Sequence, residues 1–102
     1  MKLTEDIKAV ILNAQALSLI TMSRDGSPHP IVVGGKSLDG DNIVIKIYKM
    51  EKTQENLKEN NQMWALAFVI DENGPKGFRF AGTASLNGET VFFSPDNAEA
   101  ML

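Results

Sequence analysis

The segment Lys49-Met50-Glu51-Lys52-Thr53-Gln54 carries the residue types best suited to hold an anion. It leads into KTQENLKEN, residues 52 to 60, a run of good helix formers with Leu57 as its apolar anchor. At a helix N-terminus the first N–H groups lack an acceptor within the helix, and the dipole favours negative charge. With Thr53 as N-cap adding a hydroxyl and Lys52 adding a mobile positive charge, those parts suit a phosphomonoester. The same residues also make an ordinary capped helix with solvated lysines, so the pattern alone leaves both readings open.

Other chemistries find little support. There is no G-x-x-x-x-G-K-[ST] and no G-x-G-x-x-G loop, which removes the usual triphosphate and dinucleotide cradles. Cysteine is absent and His29 is the single histidine, so thiolate nucleophiles, Cys-ligated metals and sites needing two imidazoles are excluded. Glu5 with Asp6, and Asp71 with Glu72, belong to a helix start and a turn, and neither pair makes a carboxylate dyad or a metal site. His29, between two prolines, reads as a surface turn residue. No side chain stands out as a nucleophile or poised base, which suits chemistry supplied by a cofactor.

The chain has 102 residues, 43% of them hydrophobic, enough for one compact domain over residues 1–102. Ten basic against thirteen acidic side chains give a net charge of −3, which argues against nucleic acid or an anionic membrane as partner. No apolar run reaches the ~18 residues of a membrane span, and MKLTEDIKAV has acids where a secretory signal would be apolar. A cytoplasmic location is expected.

Several elements must position the anion segment. Leu3, Ile7, Val10, Ile11 and Ala14 recur at helical spacing, so residues 4 to 14 form a helix with Thr4 as N-cap. ALSLITMS, residues 16 to 23, reads as a strand ending at the Asp25-Gly26 turn. A second strand is expected over residues 30 to 37, with Gly34 and Gly35 marking a bulge, a bend or a close approach. NIVIKIYKM from Asn42 is the clearest strand, and MWALAFVI, 63 to 70, reads as a strand covered on both faces. Trp64 and Phe68 share one face there, with core packing as their default role. Strands 77 to 86 and 89 to 94 flank the Asn87-Gly88 hairpin, and Ser94-Pro95 would start a terminal helical turn. Arg79 points away from Phe78 and Phe80. The sum is a mainly β, α+β fold: a six-stranded antiparallel barrel with an N-terminal helix and one short inter-strand helix.

The order of these elements (helix, ALSLITMS, DGSPHP, IVVGGKSLDG, NIVIKIYKM, KTQENLKEN, MWALAFVI, GFRFAGTASL) resembles the FMN-binding split-barrel superfamily of pyridoxamine 5′-phosphate oxidase-like proteins over residues 3 to 86. The resemblance implies a Greek-key split barrel that binds FMN at a homodimer interface. It implies the phosphate near Lys52 and Thr53, with the flavin ring and ribityl chain along Ile31, Val32, Val33 and Gly34 on one side and Ile45 and Lys46 on the other. Where the family often has arginines, this chain has Ile31 and Glu51. Members that oxidise pyridoxamine phosphate are longer and carry a basic C-terminal segment. This chain has a hairpin and SPDNAEAML there, so that reaction is not expected.

Three functions follow as expectations. The first is an FMN-dependent oxidoreductase acting on a small molecule. The second is an FMN-binding or electron-carrying protein without a dedicated substrate, and the third is an interaction domain that has lost its cofactor.

Overall fold

The computed structural model describes residues 1–101; Leu102, the last residue of the expected domain and terminal turn, lies outside the described residues. Helix α1 spans Glu5–Asn13, and the Thr4 hydroxyl accepts from the Ile7 N–H at 3.2 Å, the expected cap. Strands β1 (Leu17–Met22) and β2 (Pro28–Val33) form a hairpin around Gly26, whose φ is +88°. Then come β3 (Lys36–Asp39), β4 (Asn42–Lys46), helix α2 (Glu51–Glu59), β5 (Gln62–Asp71), β6 (Gly74–Asn87) and β7 (Thr90–Ala100).

All seven strands belong to one antiparallel sheet in the order β2-β1-β5-β6-β7-β4-β3. The strand expected over 30 to 37 is therefore two strands, making seven in place of six. Gly34 and Gly35 separate them and carry the chain from one edge of the sheet to the other. Three Cα steps from Val33 to Lys36 span at most about 11 Å, so the two edges converge at this point while the sheet stays unclosed. This is a split barrel of mainly β content with two helices. The β2 edge carries Pro28 and Pro30, which blunt it against further pairing.

The terminal helical turn does not form: β7 continues to Ala100 opposite β6. Gly82 pairs with Pro95 and Ala81 with Asn97, so Asp96 is the extra residue of a β-bulge. A proline in a strand is tolerated at such an irregularity, and its partner must be small. A Cβ on Gly82 would lie 2.1 Å from the Ser94 carbonyl oxygen. That opposing glycine, not the local Ser-Pro signal, decides the conformation.

Alternate residues of β1 and β5 fill the core: Leu17, Leu19, Met63, Ala65 and Ala67 are buried together with Val10, Ile11, Ile43, Ile45, Phe80 and Phe93. The opposite face of β5 is not covered on its second side as expected. Trp64 and Leu66 are half-buried, while Phe68 and Ile70 on that face are 57% and 73% exposed, as is Val32 of β2 at 71%. Core packing is therefore not the role of Phe68. His29 lies within β2, opposite Thr21 and half-buried, where extended flanking prolines favour a strand over a turn. Arg79 points outward and donates to Glu99 at 3.1 Å. Among the described residues no helix is long and apolar enough to cross a membrane.

Candidate functional site

After β4 the chain passes through Lys49 and Met50, both left-handed at φ 60° and 66°. Non-glycine residues in that region cost of order 1–3 kcal/mol each and collect at functional sites. Met50 is the residue before α2, and no side chain caps the helix. The expected cap, Thr53, sits inside the first turn because the helix starts at Glu51. The first helical bond runs from the Gln54 N–H to the Met50 carbonyl at 2.9 Å, so the N–H groups of Glu51, Lys52 and Thr53 have no intrahelical acceptor. The Gln54 side chain donates back to the Lys49 carbonyl at 2.9 Å and braces the linker.

Lys52 is exposed and Thr53 is fully buried, so the two do not lie side by side as ligands. Among the described residues the Thr53 hydroxyl is the one buried side-chain polar atom without a hydrogen-bond partner. Such a group costs about 1–3 kcal/mol, and it sits at the base of a turn whose N–H groups and lysine are free. Of that donor set, the Lys52 ammonium and the N–H groups of the exposed Glu51 and Lys52 suit a phosphomonoester, whereas Thr53 is fully buried and presents no accessible atom.

Lys52 also lines a cleft of about 430 Å³ with Arg24, Glu55, Asn56, Lys58 and Glu59. Arg24, in the β1–β2 turn, donates through Nε to Glu59 at 3.1 Å and makes a second bond through its terminal nitrogen. This bond holds the Glu59 carboxyl below its ordinary value and raises Arg24. The Ser27 hydroxyl donates to Asp25 at 2.6 Å and lowers its carboxyl too. These are the features of a pinned surface turn.

The other expected contacts are distributed elsewhere. Lys46 and Gly35 line a second cleft of about 340 Å³ with Lys36, Ser37, Val44, Glu89 and Thr90. A Cβ on Gly35 would stand 3.4 Å from the Lys46 Cβ, an ordinary contact distance. Gly34 is exposed with open space around it. Ile31 is half-buried on the inner face, and Val32 projects from the outer face. Val33 and Ile45 are core residues, 8% and 0% exposed, so their side chains are closed to ligand. Strand alternation sends every second residue of a contact strand inward. Sequence reasoning passed over Thr21 and Asn56, whose signal was only a polar residue within apolar ALSLITMS and an asparagine beside Leu57.

The solved structure of HupZ from Group A Streptococcus is 18% identical, with a TM-score of 0.81 over 97% of this chain and 94% of that one. An FMN-binding protein from Syntrophomonas wolfei is 18% identical, with a TM-score of 0.79 over 96% and 85% of the two chains. HutZ from Vibrio cholerae, described as a heme storage protein, is 15% identical, with a TM-score of 0.70 over 100% and 95%. At these identities the likeness is one of fold. No curated protein matches. The family model described as pyridoxamine 5′-phosphate oxidase matches residues 3–94, nearly the whole chain, and the chain belongs to that family.

Proposed function

We propose that this protein is an FMN-binding flavoprotein, working as an oxidoreductase on a small molecule or redox partner. The observation that carries the reading is the donor set at the start of α2, a strained linker followed by the free N–H groups of Glu51 and Lys52 and the Lys52 ammonium, in a chain of this family. Those groups hold the phosphate. Gly34 and Gly35 admit the cofactor close to the backbone, with Ile31, the backbone of Val33, and Lys46 beside it. FMN, when bound, supplies the hydride or electron transfer, and the protein orients it.

The active form is a homodimer with the cofactor at its interface. Within one chain the proposed contacts divide between two clefts and an outer face. The outer face carries Val32, Trp64, Leu66, Phe68 and Ile70, an apolar surface that a second copy would cover.

Titration of FMN into the wild-type protein and Lys52→Ala, followed by flavin fluorescence and the visible absorption band, tests the reading. Saturable binding that weakens about tenfold in the variant is expected, the lower end for a charged hydrogen bond because Lys52 is exposed. No binding by the wild type, or equal affinity in both, overturns it.

A further inference from the structure

The core is otherwise apolar, yet among the described residues its three buried polar side chains all gather at α2 and β1: Thr21, Thr53 and Asn56. Asn56 Nδ2 donates to the Thr21 hydroxyl at 3.0 Å, across 35 positions of sequence. Burying such groups is costlier than burying aliphatic side chains of similar size, so packing alone gives no reason for them. Their placement gives one. Of the residues α2 buries, Leu57 is the single apolar anchor, and Thr53 and Asn56 are the other two. One aliphatic contact turns the Leu57 face inward but, being non-directional, holds smaller rotations and slides of the helix only loosely. A directional hydrogen bond admits one setting only. Asn56 lies one turn beyond Lys52 on the same side of the helix, so whatever fixes Asn56 fixes the direction of Lys52 and of the free N–H groups.

We infer that Thr21 and Asn56 are positioning residues for the phosphate end of the site, their buried hydrogen bond setting the rotation of α2 on β1. The inference rests on the flavin reading above. It separates the cofactor's phosphate from its ring: riboflavin, which lacks the phosphate, does not depend on the setting of α2, whereas FMN does.

The test measures the affinities of FMN and riboflavin for the wild type, Thr21→Ser and Thr21→Val by fluorescence quenching. Thr21→Val keeps the shape and removes the acceptor. It is expected to lower the preference for FMN over riboflavin about tenfold at unchanged riboflavin affinity, while Thr21→Ser keeps the wild-type preference. Asn56→Ala removes the donor from the other side and is expected to give the same loss, which covers the case of a poorly folding Thr21→Val. An unchanged preference, or equal weakening of both ligands, would reduce the pair to general stability and overturn the inference. A wild type that binds riboflavin as well as FMN overturns the phosphate site itself, and that arm is read before any variant.

Discussion

Replacing Gly82 by alanine tests the bulge that carries β7 along β6. The added Cβ would stand 2.1 Å from the Ser94 carbonyl oxygen, 2.8 Å from Pro95 Cα and 2.9 Å from the Ser94 carbonyl carbon. All three are backbone atoms, so no side chain can rotate away. Relief requires moving the strand pair, whose ladder runs from Asn87–Thr90 to Phe78–Ala100. Overpacking of this kind costs about 3 kcal/mol, the upper end of the usual range. With an unfolding entropy of about 0.2 kcal/mol/K for 102 residues, that corresponds to a fall in Tm of about 14 °C. Gly34→Ala is the control. Nothing lies within 4 Å of its new Cβ, so its Tm is expected within about 3 °C of the wild type. Thermal unfolding followed by circular dichroism, at one protein concentration, decides between them. A Gly82→Ala protein as stable as Gly34→Ala would refute the steric argument and the bulge with it.

Phe68→Glu places a charge on the outer apolar face and is expected to shift the assembly from dimer to monomer in sedimentation velocity. A variant that stays dimeric would move the interface elsewhere. Glu59 is held below its ordinary value of 4.5, chiefly by the Arg24 hydrogen bond. Its ionised form is therefore favoured in the folded state, contributing stability above pH 4.5 that is lost as the pH falls through the folded-state value. Glu59→Gln should remove that acid-limb component of the thermal stability profile, with a small effect at neutral pH because the pair is exposed. A variant whose stability falls with acid as steeply as that of the wild type would show that the pair adds nothing.

Much of the architecture was legible in the residues. Thr4 and the apolar spacing of α1, the Asp25-Gly26 and Asn87-Gly88 turns and the alternation of Ile43 and Ile45 are local signals, and the structure honours them. The failures are non-local. Whether Gly34-Gly35 bends one strand or joins two depends on where the sheet edges lie. Pro95 looks like a helix start until Gly82 is placed opposite it. At the candidate site, the charge and position of Lys52 were legible, but the cap position falls at Met50, three residues before Thr53, which leaves Thr53 a buried hydroxyl inside the first turn. Thr21 and Asn56 gain meaning only when a strand and a helix 35 residues apart are brought together.

The central claim is that the start of α2 receives the cofactor's phosphate. Titrating FMN into isotope-labelled protein and following backbone amides by nuclear magnetic resonance tests it most directly. Saturable shifts are expected, largest at the Glu51, Lys52 and Thr53 amides and absent there when riboflavin replaces FMN. Shifts concentrated in the cleft at Lys36 and Lys46 or along Phe68 and Ile70, or no saturable shift at all, would contradict it.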